Sequence, residues 1–235
     1  MELSVVIPAY QEAARLGTTL DRVLGYLEDR GGDFEVVVVD DGSSDATAEV
    51  AAGYAPRGVA VQRLETNRGK GAALKAGVAR TRGRRVLLTD ADLSTPIEDL
   101  PRLEARLGEA DVVLGSRAVA GSEITRRQPA YRELMGKVFN LLVRMAGVRG
   151  LSDTQCGFKL LDGEAARRLF AEMTVDRFAY DVELVWLARR CGLEVREVGV
   201  RWENSPDSRV DPVRDSLRML WDLVRLRLRR LERRW

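Results

Sequence analysis

Short apolar runs alternate along this chain with longer stretches in which apolar residues recur every three or four positions. Leu3-Ser4-Val5-Val6-Ile7 stops at Pro8, and Glu35-Val36-Val37-Val38-Val39 stops at Asp40. Continuous runs of this length suit strands buried on both faces of a sheet, whereas three-to-four spacing suits a helix with one buried stripe. Strands are therefore predicted at 3–7, 35–39, 58–64, 85–89, 111–115 and 194–200, with a further short one after the polar loop 153–159. Helices are predicted at 12–28, 45–54, 69–80, 131–146, 178–190 and from 212 to the end. Thr95-Pro96-Ile97-Glu98 has the form of a capping box with proline at the first helical position. Asp162 is placed to cap a helix running to about Ala171. Residues 202–211, with Pro206, read as a loop.

Strands that alternate with helices imply βαβ crossovers and a mainly parallel sheet, an α/β fold. Ligands in such sheets bind beyond the carboxyl ends of the strands. Pro8-Ala9-Tyr10, Asp40-Asp41, Asp90-Ala91-Asp92 and Ser116-Arg117 all follow predicted strands. One active edge is therefore expected. With no internal repeat and no low-complexity linker, the organisation expected is one domain over 1–211 followed by a helical segment over 212–235.

Composition narrows the chemistry. The 235 residues suffice for one well-filled α/β domain, and 31% charged with 45% hydrophobic residues is ordinary for a soluble one. The chain has no histidine, which removes the commonest general base and transition-metal ligand. Cys156 and Cys191 have no CxxC partner, which excludes a cysteine-rich zinc site and fits a reducing compartment. The N-terminus lacks the pattern of a signal peptide, and no apolar run approaches the ~18 residues of a membrane span. The net charge of +2 hides an arginine-dense segment after Arg214.

Asp90 and Asp92, two residues apart at a strand end, can aim at one hard divalent cation such as Mg²⁺ or Mn²⁺. Asp40-Asp41-Gly42-Ser43 can accept hydrogen bonds from a base or ribose, and equally serves as a tight turn into the next helix. Asn67-Arg68-Gly69-Lys70-Gly71 resembles a phosphate loop without being a Walker motif, and a plain helix-start turn is the alternative. No GxGxxG follows the first strand, which argues against a dinucleotide oxidoreductase. Cys156, Phe158 and Trp186 read as packed residues.

In order and spacing, Val5-Val6-Ile7-Pro8-Ala9-Tyr10-Gln11-Glu12, Val39 to Asp45, Asn67 to Gly71 and Asp90-Ala91-Asp92 resemble the family 2 glycosyltransferases of GT-A fold. Gly115-Ser116-Arg117, Asp153-Thr154-Gln155-Cys156-Gly157-Phe158-Lys159-Leu160 and Arg177 to Leu184 resemble the dolichyl-phosphate β-glucosyltransferases within that group, with the dolichyl-phosphate mannosyltransferases as relatives. The resemblance implies a single Rossmann-like, nucleotide-sugar-binding domain. It implies nucleotide contacts from Pro8, Ala9, Tyr10, Glu12, Asp40, Asp41, Lys70, Asp90 and Ala91. It implies a metal site of Asp90 and Asp92, with Ser94 where relatives carry Gln. Arg117, Arg132 and Arg209 would clamp the acceptor phosphate, and Asp92, Arg117, Arg132 and Asp153 would form the catalytic set. Asp153 would orient Arg117 or Arg132, contact the sugar, or cap a loop.

The expected reaction is transfer of a sugar from a nucleotide-sugar, UDP-glucose or alternatively GDP-mannose, to a polyprenyl phosphate, with inversion. A family 2 transferase acting on a non-lipid acceptor is the alternative reaction. An acceptor phosphate monoester has a second pKa near ~6 and needs little help from a base. Leu217, Leu220, Trp221, Val224, Leu228, Leu231 and Trp235 form one stripe on the last helix, flanked by arginines. Such a basic amphipathic helix suits an anionic membrane surface, with packing on protein as the alternative. The expected setting is peripheral, on the cytoplasmic face. A nucleic-acid partner is not expected, because the arginines interleave with a wide apolar stripe.

Overall fold

The four valines Val36–Val39 lie on an inner strand of a sheet, next to one edge strand, and are almost completely shielded from solvent. In the computed structural model, residues 1–126, 140, 143–144, 148–204 and 212–232 are described. The described elements are β1 (Leu3–Ala9), α1 (Ala13–Arg30), β2 (Phe34–Asp40), α2 (Thr47–Ala52), β3 (Val59–Arg63), α3 (Lys70–Val78), β4 (Arg85–Leu88), α4 (Leu100–Leu107), β5 (Val112–Ser116) and β6 (Glu123–Arg126). They continue with β7 (Lys159–Asp162), α5 (Gly163–Glu172), α6 (Tyr180–Arg190), β8 (Val195–Gly199), β9 (Arg201–Glu203) and α7 (Pro212–Glu232).

Seven strands form the main sheet in the order β3-β2-β1-β4-β7-β5-β8. All neighbours are parallel except β7, which runs antiparallel to both β4 and β5. That reversal fixes the location of the site. The start of β7, Lys159, pairs with Leu88 and Leu114 near the carboxyl ends of β4 and β5. The loop leading into β7 therefore arrives at the same edge as the loops leaving the parallel strands.

Helices cover both faces. α1 buries Leu16, Leu20, Val23, Leu24 and Leu27 at helical spacing against one face. On the other face α3 turns Ala73, Leu74, Gly77 and Val78 inward, small enough to bring the helix close to the strands. α5 is capped as its sequence predicts: the Asp162 carboxylate accepts from the backbone N–H of Glu164 and Ala165 at 2.9 and 3.0 Å. Phe158 and Cys156 are core residues, and Trp186 packs against the core with the Arg190 guanidinium over its ring.

Two expectations need correction. The capping box at Thr95 does not form. The Glu98 carboxylate is engaged by Arg22 instead of reaching back, and the Thr95 hydroxyl lies 3.7 Å from the Cys156 sulfur. A 3-10 turn at Ile97–Asp99 intervenes, and α4 starts at Leu100 with Pro101, not Pro96, in its first turn. The segment after Val200 is not all loop. β9 pairs in parallel with β6 as a separate two-stranded ribbon, tied to the domain by Asp99, which accepts from the Arg201 backbone N–H and Nε at 2.7 Å each. Arg126 closes β6. Most of the helix expected at 131–146 lies outside the described residues.

A Cβ on Gly77 would stand 2.5 Å from Val6 Cγ1 and 2.8 Å from Val39 Cγ2, both in the rigid sheet. Gly77→Val should lower the unfolding free energy by about 1–3 kcal/mol through overpacking. The urea midpoint of the variant beside the parent protein checks this.

Candidate active site

The site is built on the turns that leave β1, β2, β4 and β5 and the loop that enters β7. At the β2 end, Asp40 is fully buried; one carboxylate oxygen accepts from the Ser43 N–H at 3.0 Å and the other lies 3.2 Å from Arg63 Nε. Asp41 accepts from the N–H groups of Arg68 and Gly69 at 2.9 and 2.8 Å and from Asn67 Nδ2 at 3.0 Å. It shapes the Asn67–Gly69 loop from below. Burial pushes its carboxyl up, against the pull of those two backbone donors. At the β1 end, Tyr10 is exposed, Ala9 is buried and Pro8 half-buried. The Glu12 carboxylate is held by Arg15.

Asp90, Ala91 and Asp92 follow β4. The Ala91 carbonyl is fixed by the Thr19 hydroxyl at 2.6 Å. One Asp92 oxygen accepts from the Ser94 N–H at 3.0 Å, and the Ser94 carbonyl accepts from the Glu203 N–H at 2.8 Å, so the turn is braced against β9. The Lys70 ammonium, at the start of α3, pairs with Asp90. Burial pushes the Asp90 carboxyl up, but Lys70, Lys159 and Arg117 outweigh it and hold the group below its ordinary value. Lys70 is correspondingly raised: burial works against its charge and Asp90 and Asp181 outweigh that. Among the described residues no cluster of three or more His, Cys, Asp or Glu could hold a metal. The protein offers two hard carboxylates, Asp90 and Asp92, at one turn. That donor set suits Mg²⁺ or Mn²⁺ completed by phosphate oxygens and water.

Arg117 follows β5. Its Nε and Nη2 reach the two oxygens of Asp153 at 2.6 and 2.8 Å, a two-pronged pair, and its backbone N–H bonds the same carboxylate at 3.1 Å. The Trp202 ring lies under the guanidinium at 5.4 Å. The Asp153 loop is held in turn by Glu197 of β8, which accepts from the N–H groups of Ser152 and Asp153 at 2.6 and 2.7 Å. Of the roles open to Asp153, orienting Arg117 is the one its contacts support. Burial pushes the Asp153 carboxyl up, and the Arg117 charge and hydrogen bonds bring it net below its ordinary value. Arg132 and Arg209 lie outside the described residues.

Sequence reasoning gave no role to Lys159, Tyr180 and Asp181. Lys159 has 0% exposure, its ammonium 2.6 Å from Asp181 Oδ1 and donating to the Cys156 carbonyl. Both Lys159 and Lys70 stand over the Tyr180 ring, at 5.6 and 5.9 Å from its centre. The available signal was a lysine opening the apolar strand Lys159-Leu160-Leu161, a position that cannot be solvated. Gly157 has its own reason: a Cβ there would run into the Asp90 carboxylate. Burial pushes the Cys156 thiol up, as expected of a packed residue rather than a nucleophile.

The match to the family model described as "Glycosyl transferase family 2" runs over residues 4–170, through every strand of the main sheet except β8. The chain belongs to this family. Proteins similar to this glycosyltransferase over its whole length include "Dolichyl-phosphate beta-glucosyltransferase" of Drosophila melanogaster, 39% identical over 100% of this chain and 77% of the relative. The protein of the same name from Homo sapiens is 38% identical over 100% and 77%, and that of Dictyostelium discoideum 35% over 99% and 76%. Among solved structures, the mannosyl-3-phosphoglycerate synthase of Rubrobacter xylanophilus superposes with a TM-score of 0.70 at 24% identity, covering 99% of this chain and 74% of that one. The glucosyl-3-phosphoglycerate synthase of Mycobacterium tuberculosis, solved with Mn²⁺ and UDP-glucose, gives 0.69 at 22%, covering 97% and 78%. These two share the glycosyltransferase's fold.

The lowered folded value of Asp153 fixes a sign. The Arg117–Asp153 pair stabilises the protein above the ordinary carboxyl value of about 4, and that contribution is lost as the pH falls through the folded value. Asp153→Asn should therefore be less stable than the parent at pH 6–7, with the gap narrowing below about pH 4. Urea unfolding of both proteins across pH 3–7 measures it.

Proposed function

We propose that this glycosyltransferase moves glucose from UDP-glucose to a polyprenyl phosphate such as dolichyl phosphate, with a divalent cation and with inversion at the sugar. The observation that carries the reading is Arg117: a cation fixed by Asp153 and Trp202 at the same sheet edge as Asp90 and Asp92. The whole-length relatives bearing the dolichyl-phosphate β-glucosyltransferase name support the choice of sugar and acceptor.

In this mechanism Pro8, Ala9, Tyr10, Glu12 and Asp40 surround the nucleoside, and Lys70 with the Asn67–Gly69 loop faces the diphosphate. Asp90 and Asp92 hold the cation, with Ser94 in the same turn. When bound, that cation neutralises the departing diphosphate as a Lewis acid. Arg117, joined by Arg132 and Arg209, grips the acceptor phosphate through paired N–H groups and aligns it behind the anomeric carbon. An acceptor oxygen forms the new bond to that carbon as the bond to the UDP oxygen breaks, and the electron pair leaves on the diphosphate. The acceptor is already largely dianionic at neutral pH. No proton needs to be removed, in keeping with a chain that has no histidine.

α7 supplies the approach to the lipid. Met219, Leu223 and Leu226 are buried, while Leu220, Trp221, Val224 and Leu228 on the other side are exposed, Trp221 by 62%. Arg218 and Arg225 flank the exposed stripe. Among the described residues no helix is long and apolar enough to cross a membrane. We therefore assign α7 to the surface of an anionic membrane, on its cytoplasmic face, with the apolar stripe in the headgroup region.

Asp92→Ala should reduce transfer of labelled glucose into an organic-extractable product by about 100-fold or more at saturating Mn²⁺, and Arg117→Lys should cost about tenfold or more because lysine lacks the fork. Product formed from GDP-mannose and not UDP-glucose would overturn the choice of donor; full activity in Asp92→Ala would overturn the mechanism. Trp221→Glu with Leu228→Glu should abolish co-sedimentation with phosphatidylserine vesicles and leave the fold intact by circular dichroism.

A further inference from the structure

The mechanism leaves one buried charged pair unused. Lys159 and Asp181 lie 2.6 Å apart, both shielded from solvent, in a position where apolar residues of similar size would serve stability as well or better. What distinguishes the pair is what it touches. The Lys159 ammonium also donates to the Cys156 carbonyl, which fixes the peptide next to Gly157, and the Asp90 carboxylate lies against Gly157 where a side chain has no room. Asp181 opens α6 beside Tyr180, whose ring stands beneath both Lys159 and Lys70. The loop before α6 grips the other side of the same loop system: the Asp176 carbonyl accepts from the Ala72 N–H at 2.9 Å, and Arg68 Nη2 lies 3.2 Å from Asp176. Glu183, in the same first turn of α6 as Asp181, holds that loop through the Thr174 and Val175 N–H groups at 2.9 and 2.7 Å.

We propose that Lys159 and Asp181 are positioning residues for the donor diphosphate site, joining the Gly157 turn under Asp90 to the Tyr180 ring under Lys70. The inference rests on the donor role given to Asp90 and Lys70 above. Arg117 is held at the far end of that loop by contacts in which neither Lys159 nor Asp181 takes part, from Asp153, Glu197 and Trp202. Loss of the buried pair therefore weakens the donor and leaves the acceptor alone. It also brings no proton into the reaction; its effect is on where Asp90 and Lys70 stand when the nucleotide arrives.

The test uses the full chain with Lys159→Met and Asp181→Leu together, which removes both charges and leaves neither stranded. Calorimetry with UDP and Mn²⁺, GDP in parallel, reads nucleotide affinity without turnover. Transfer kinetics read KM for donor and acceptor separately. The expected result is a folded protein whose nucleotide Kd and donor KM rise by about tenfold while the acceptor KM stays within about twofold. A folded double variant with unchanged nucleotide Kd and donor KM overturns the proposal, as does an acceptor KM that rises in step with the donor's. If the double variant does not fold, Lys159→Gln with Asp181→Asn, which removes both charges and keeps polar ends of similar size, decides by the same readings. A parent protein that binds UDP, with that affinity lost in the double variant, but transfers no glucose to lipid removes the functional reading and leaves the inference standing. One that binds neither nucleotide removes both.

Discussion

The constraint on which this structure turns is charge compensation at a largely dry sheet edge. Several fixed charges stand close together there, and each costs dearly to bury unless it is met. The chain answers with pairs: Lys70 with Asp90, Lys159 with Asp181, Arg117 with Asp153. Asp41 is met differently, by two backbone N–H groups and an amide. The loops are shaped by these pairings at least as much as by packing. The Asp153-to-Phe158 loop is the clearest instance, since it holds Arg117 through Asp153 at one end, is tied to Lys159 at Cys156 and lies against Asp90 at Gly157 near the other.

Much of this was legible beforehand, for a physical reason. Strands buried on both faces must be continuously apolar, so β1, β2, β4 and β5 announce themselves, and the polar residues that follow each must gather at one edge. Asp90, Asp92 and Arg117 were found that way and stand at one edge, whereas Lys70, which pairs with Asp90, came from the Asn67–Gly71 string. Asp162 was legible as a cap because the requirement is local.

What escaped was set by distant partners. Thr95 and Glu98 have the local form of a capping box, but Cys156 and Arg22 take their side chains, both far away in sequence. β6 and β9 are four and three residues long and lie 75 residues or more apart, too short for a period to register. The antiparallel sense of β7 is carried by nothing within its four residues. Lys159 carried a usable signal, yet its partner Asp181 stands on another element, so a sequence displays the cation without the reason for it.

The reversed strand also bears on how the molecule comes to exist. β4 and β5 never touch; each meets only β7 on its inner side. A growing chain that has been made as far as Ser116 therefore holds a sheet of β3, β2, β1 and β4 with a bare edge, and a fifth strand with no neighbour. The gap closes only when residues 159–162 emerge and slot between them. Late, non-local pairing of this kind is slow and leaves a strand edge open to other chains in the interval. The element that brings the Asp153 loop to this edge of the sheet is thus also the keystone of assembly, joining the two parts of the sheet before β8 completes it.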